Sequence, residues 1–116
     1  MEHGKKKRKF GRETKQRKEL MRDLELALIT NGKIVTTEAK AKSLKPSVEK
    51  IISRTLKNDL VSKRFITARY GKVAAKKIIT DIAPKFSNRN GGFTRIIKIP
   101  KRISDGSKMA IIEFVE

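Results

Sequence analysis

The sequence contains no cysteine and no tryptophan, a single histidine (His3) and a single tyrosine (Tyr70). Without cysteine there is no disulfide framework, no thiolate metal site and no cysteine nucleophile. One histidine close to the start of the chain cannot supply the acid–base pair that a ribonuclease requires. The longest apolar runs, Leu26-Ala27-Leu28-Ile29 and Met109-Ala110-Ile111-Ile112, are far short of the roughly 20 residues needed to cross a bilayer. Residues 1–18 lack the apolar stretch of a secretory signal. The Gly-x-x-x-x-Gly-Lys-Ser/Thr pattern of a nucleotide-binding loop is absent, and acidic residues do not pair at metal-binding spacing. No catalytic residue, metal, cofactor or small-molecule substrate is therefore expected, and no membrane partner.

Negative charge is scarce as well. Against 30 Lys and Arg stand 12 Asp and Glu, a net +18 over 116 residues. Charged residues make up 36% of the chain, where an ordinary domain has about 25%. A chain of this length buries on the order of two-thirds of its unfolded surface. One small folded domain with basic additions is the reading, and its charge calls for a polyanion. Nucleic acid comes first and a membrane surface second.

The charge is concentrated at the start. Residues 1–18 hold nine basic and two acidic residues, with Met1 and Phe10 as their only apolar side chains. Such a segment cannot collapse on its own and should become ordered on its partner. A basic arm is placed at residues 1–13, with His3, Lys5, Lys6, Lys7, Arg8, Lys9 and Arg12 as nucleic-acid contacts. Gly4 and Gly11, having no Cβ, let the arm follow an irregular surface.

Residues 14–116 read as one body. Leu20, Met21, Leu24, Ala27 and Leu28 recur at helical spacing, and Asn31-Gly32 is a helix stop. Lys33 to Thr37 is a short β-branched strand, after which Thr36 or Thr37 can cap a second helix. That helix turns Ala41, Leu44, Val48, Ile51, Ile52 and Leu56 to one side, with Pro46 expected to kink it or break a turn. A third helix, Leu60 to Tyr70, closed by Gly71, is predicted to direct Val61, Phe65 and Ala68 inward. A fourth, from about Lys72 to Ala83, directs Ala75, Ile78, Ile79 and Ile82 inward and ends at Pro84. Thr94 to Ile99 and Met109 to Val115 are strands, paired antiparallel across Ser104-Asp105-Gly106-Ser107. The expected fold is α+β, ordered helix, strand, three helices, two strands. Its three-stranded sheet carries helices on one face, with Lys33 to Thr37 at an edge.

Phe86 to Arg95 (Phe-Ser-Asn-Arg-Asn-Gly-Gly-Phe-Thr-Arg) is the most suggestive segment. Gly91 and Gly92 free the backbone to approach a phosphate and can donate their amides, although the pair also suits a plain turn before a strand. Arg89 and Arg95 flank them with planar forks suited to phosphate oxygens. Phe86 and Phe93 read as core plugs at the loop ends rather than as bases' stacking partners. Glu38, Glu49 and Asp81 read as caps or helix-surface charges. The remaining cations, among them Lys40, Lys42, Arg54, Arg64, Arg69, Lys76, Lys77, Lys101 and Arg102, are spread over every element. A DNA-reading helix would gather them on one element, whereas dispersion suits burial in folded RNA. Composition alone also allows a DNA-compacting architectural protein, though such proteins offer an arm or wedge to a groove.

These segments together resemble bacterial ribosomal protein seventeen of the large subunit, over essentially the whole chain. The resemblance is carried by His3 and the basic run after it, Gly11-Arg12, the Arg17 to Ile29 helix and Thr36-Thr37-Glu38-Ala39-Lys40-Ala41-Lys42-Ser43-Leu44. It continues through Pro84 to Ile96 and Met109 to Val115. The Arg-x-Gly-Gly-aromatic-Thr-Arg stretch is its most specific part. The resemblance implies a cytoplasmic, non-enzymatic structural protein bound to large-subunit ribosomal RNA, beside neighbouring large-subunit proteins and on the side where the nascent chain leaves. It also implies RNA contacts at Gly11, Arg12, Arg17, Thr36, Thr37, Lys40, Lys42, Arg89, Gly91, Gly92, Thr94 and Arg95.

Overall fold

Helix α1 runs from Phe10 to Asn31, one turn earlier than the apolar stripe alone predicts, in a computed structural model that describes residues 10–115 and their side chains from 14 onward. The expected arm contacts His3, Lys5, Lys6, Lys7, Arg8 and Lys9 lie outside the described residues. Leu28 and Ile29 are buried and Met21 and Leu24 pack against them, whereas Leu20 lies beyond the edge of the body and is exposed. The helix stops where Gly32 takes a φ of +81° and donates its amide to the Leu28 carbonyl at 2.7 Å. Glycine reaches that left-handed conformation without a Cβ penalty.

Strand β1 (Lys33–Thr37) follows at once, then α2 (Glu38–Leu56), α3 (Leu60–Tyr70) and α4 (Lys72–Lys77). Thr37 caps α2 by accepting the Lys40 amide, and Asp59 caps α3 by accepting the Ser62 amide at 2.8 Å. Helix α2 is uninterrupted through Pro46. The expected broken turn does not occur, because Pro46 lies on the exposed face, where solvent can serve the orphaned Lys42 carbonyl. The predicted fourth helix is shorter than expected. After Lys77 the chain widens into a π turn, Ile78–Ile82, then tightens into a 3-10 turn, Ala83–Phe86. Those turns still bury Ile78, Ile82, Ala83 and Phe86.

Strands β2 (Thr94–Ile99) and β3 (Met109–Phe114) complete an antiparallel sheet of order β1-β3-β2. In register, Thr36 faces Ala110, and Ile96 faces Ile112, whose partner on the other side is Ile34. That inner row meets α2 and the buried ends of the helices. The opposite row of Val35, Ile111 and Ile97 has no helix over it. The expected α+β order, strand pairing and helix-covered sheet are all present.

Helix α3 departs from expectation on which side faces in. Ser62, Ile66 and Tyr70 are buried, while Val61 is 67% and Phe65 37% exposed, and Ala68 is exposed too. Both stripes have helical spacing, so periodicity alone could not choose between them. A polar anchor decided it. Tyr70 donates to Glu25 Oε1 and stands next to Arg69, whose Nε and Nη2 reach the same oxygen at 3.0 and 2.9 Å. Ser47 of α2 donates to Glu25 Oε2. Burial, followed by the hydrogen bond to Glu25, pushes the Tyr70 hydroxyl well above its ordinary value. Three helices are thus joined at one fully buried carboxylate.

Candidate nucleic-acid interface

The buried stripe of α2 (Ala41, Leu44, Val48, Ile51, Ile52 and Thr55) determines what the helix offers outward. Lys42, Lys45 and Glu49 project along the flank where β2 lies. Lys45 Nζ donates to the Thr94 carbonyl at 2.5 Å and pairs with Glu49 at 2.9 Å. Lys98, further along β2, stands 3.9 Å from Glu38, which also pairs with Lys42 at 3.0 Å. Helix and strand therefore run side by side for about 13–16 Å, by the rise per residue of each. Two sequence-distant groups of candidate residues meet along this seam. Thr37 and Lys42 mark one end, and Arg89, Gly91, Gly92, Thr94 and Arg95 mark the other, while Lys40 lies round the helix on the flank away from β2.

Residues 87–93 form a loop clamped at both ends. Phe86 and Phe93 are buried with ring centroids 5.2 Å apart, and Phe114 packs 6.2 Å from Phe86. They serve as core plugs, as expected. Glu49 holds the loop's far limb, accepting from the amides of Gly92 and Thr94 at 3.1 Å each and from the Thr94 hydroxyl at 2.9 Å. Arg89 Nη1 donates to the Gly92 carbonyl at 2.7 Å, closing the turn from within. Arg95 pairs with Glu113, its cross-strand neighbour, at 2.6 Å.

The candidate residues are therefore unequally available. Thr36 and Thr94 are buried, and Thr37 is used as a cap. The Gly92 amide, expected to donate to phosphate, is taken by Glu49. Gly91 is exposed beside the seam, whereas Lys40 is exposed on the other flank of α2, its ammonium without a partner among the described residues. Arg17 is exposed on α1, away from this seam's two ends. Gly11 and Arg12 fall in the first turns of α1. Glu49 was underrated as a surface charge. Its i,i+4 spacing from Lys45 is visible in the sequence, but its partners at Gly92 and Thr94 are more than 40 residues away.

The two glycines differ in a way that substitution will expose. Gly92 has a φ of +65°, whereas Gly91 has ordinary φ and open space where a Cβ would stand. Gly92→Ala is expected to cost about 1–2 kcal/mol, read by chemical denaturation, because the left-handed conformation penalises a Cβ. Gly91→Ala should stay within about 0.5 kcal/mol of the parent. Equal costs would mean the loop relaxes freely.

Glu49 also ties the loop to pH. Burial works against its charge, but hydrogen bonds from Lys45 and Thr94 prevail and hold the carboxyl below its ordinary value of 4.5. A depressed folded value means the contribution is complete above 4.5 and is lost as pH falls through the folded value. Between about pH 5 and about pH 3 the parent should therefore lose melting temperature more steeply than Glu49→Gln. Parallel curves would show that the latch does not titrate with folding.

Among the described residues no three His, Asp or Glu side chains gather as a metal site, and no helix is long and apolar enough to cross a membrane. Fold and surface define a class: a small, strongly basic α+β domain whose cations are dispersed along several elements. The ribosomal protein L17 family model matches residues 20–115. The chain is 48% identical to large ribosomal subunit protein bL17 of Shouchella clausii (strain KSM-K16), over 92% of this chain and 97% of that protein. It is 47% identical to the bL17 protein of Hydrogenobaculum sp. (strain Y04AAS1) along the full length of both, and 47% to that of Nautilia profundicola over 93% of each. The chain belongs to the ribosomal protein L17 family, a family of large-subunit ribosomal proteins involved in translation and not of enzymes.

Proposed function

We propose that this protein is a structural constituent of the large ribosomal subunit that binds and stabilises folded large-subunit ribosomal RNA, in the cytoplasm and beside neighbouring large-subunit proteins. One observation carries the reading. Cations from α1, α2, the 87–93 loop and β2 are exposed on separate elements of one folded body, so phosphates on several RNA segments can be met at once. An A-form helix presents its backbone and 2′-hydroxyls more readily than its base edges, and a body of this kind needs no groove-reading element. Lys42, Arg89, Gly91 and Arg95 form the seam contacts, and Lys40 adds one from the other flank of α2. Thr36, Thr37, Gly92 and Thr94 shape the backbone around them. The arm residues His3, Lys5, Lys6, Lys7, Arg8, Lys9, Gly11 and Arg12, with Arg17, extend the contact.

Cosedimentation tests this directly. Tagged protein in a high-magnesium lysate is expected to travel with large subunits and to remain there after DNase treatment. Migration with DNA, or release by DNase, would overturn the reading. Gly91→Val sharpens the test to one residue: with the isolated protein's melting temperature unchanged, its occupancy in purified subunits should fall.

A further inference from the structure

Between α2 and α3 lies a groove of about 910 Å³ that the seam does not use. Its walls include Lys50, Arg54 and Lys57 from α2, Val61 and Phe65 from α3, and the loop residues Asn90 and Gly91. Arg54 is the unusual member. Its guanidinium lies 4.0 Å from the centroid of the Phe65 ring, and the side chain is half-buried. Four other arginines are engaged, Arg69 by Glu25, Arg95 by Glu113, Arg102 by Asp105 and Arg89 by the Gly92 carbonyl, while Arg22 and Arg64 are exposed on helix surfaces with no ring beside them among the described residues. Arg54 has no hydrogen bond or ion pair among the described residues. No buried side-chain nitrogen or oxygen there lacks a partner, so its donors open into the groove rather than into the core.

The acidic groups on the walls offset it only in part: Lys50, Arg54, Lys57 and Arg69 stand against Glu49 and Asp59, and Asp59 feels the charges of Lys57 and Arg54. Glu49 is occupied by Lys45, Gly92 and Thr94, and Asp59 by the Ser62 amide. What is left is a planar, pre-stacked cation with five unspent donors, two flexible ammonium groups beside it, and exposed apolar side chains opposite. A guanidinium plane and an aromatic ring are the surfaces on which unpaired bases stack, and the donor fork suits phosphate oxygens.

We propose that this groove holds an unpaired nucleotide of ribosomal RNA, its phosphate on Arg54 with Lys50 or Lys57, and its base or ribose against Val61 and Phe65. This rests on the ribosomal RNA reading above and adds to it a second, single-stranded mode of contact next to the seam. It accounts for the outward Val61–Phe65 stripe, which among the described residues is met only in part, by Arg54 over one face of Phe65. Gly91 stands where the loop meets the groove, so one RNA segment can pass from seam to groove without crossing a side chain.

The test uses the full chain and two probes, a single strand of about 12 adenylates and an RNA duplex of the same length. Arg54→Gln is expected to weaken single-strand binding roughly tenfold, as expected for one charge-assisted contact, and to leave duplex binding within about twofold. Arg54→Lys keeps the charge but loses the fork and the plane, and should fail to restore single-strand affinity. Melting temperatures of both variants establish that the body is intact. Equal losses on strand and duplex, or full rescue by lysine, would reduce the groove to general charge and overturn the proposal. In purified subunits, Phe65→p-benzoylphenylalanine should photo-crosslink to RNA. A protein adduct, or no adduct, would assign the groove otherwise. Parent protein that binds ribosomal RNA while Arg54→Gln keeps its single-strand affinity sinks the groove alone. Parent protein that binds no ribosomal RNA sinks the wider reading.

Discussion

Arg69→Ala is expected to cost about 3 kcal/mol of stability. Glu25 is fully buried, and Arg69 gives it two of its four hydrogen bonds. Truncating the arginine leaves that carboxylate in the interior with only the hydroxyls of Ser47 and Tyr70. The loss exceeds that of an exposed ion pair, because Glu25 is fully buried although Arg69 is about one-third exposed. Denaturant unfolding of the isolated protein measures it directly. The double variant Glu25→Leu with Arg69→Met should recover most of the loss, since removing both polar partners leaves nothing unpaired. A cost below about 1 kcal/mol for Arg69→Ala would show that the cluster is solvated and does not set the packing of α3.

Raising salt should produce the largest functional effect. Local pairs such as Lys42 with Glu38 and Arg95 with Glu113 tie up some cations, yet the excess of 18 positive charges over negative cannot be satisfied within the chain. Each phosphate that these cations neutralise releases condensed counterions, at a slope of roughly −0.7 to −0.9 per contact. Six or more contacts give a slope of log affinity against log salt steeper than about −4. Between about 50 and 200 mM salt, affinity for large-subunit RNA should therefore fall roughly 200-fold. Filter binding across that range is sufficient. A slope shallower than about −2 would make the charge incidental to recognition.

Much of the backbone was legible because its signals are local. Asn31-Gly32, Asp59, Gly71 and Ser104-Asp105-Gly106-Ser107 each punctuate the chain through conformation or capping, whereas Pro84, expected to end the fourth helix, lies inside the 3-10 turn that follows it. The sheet was legible for the same reason. Its inner and outer residues alternate with period two, and Ala110, Ile112 and Phe114 share a face in the register observed. What could not be read was the choice between two equally periodic faces of α3, because that choice depends on Glu25, more than 40 residues upstream. A signal did exist: Glu25 lies four residues from Met21 and three from Leu28, in line with the buried side of α1. A carboxylate in that position asks for a buried cation. Arg69 and the tyrosine beside it could then have indicated which side of α3 turns in.

The candidate interface was legible in its residue types but not in its wiring. Arg89, Arg95 and Gly92 stand out in the sequence as though all three were open to a ligand. In the fold each already has an internal partner, and the most available groups are Lys40, Gly91 and Arg54. The pairing of Gly92 with Glu49 joins α2 to a loop roughly 40 residues further on, and no periodicity or spacing rule reaches that far. Similarly, a π turn after Lys77 has no composition of its own, since Ile-Ile-Thr-Asp-Ile also suits a regular helix.

The central position of β3 has a consequence for how the chain comes together during synthesis. Both of its partners, β1 and β2, are made before it, and neither hydrogen-bonds to the other. Until Met109–Phe114 has left the ribosome making it, β1 and β2 stand apart and no sheet exists to cover the inner sides of the helices. Helices held by local bonds can form as they emerge, whereas closure of the core waits for the last strand. Each new copy therefore stays open until β3 has been made, and its helices exist before the sheet that covers them.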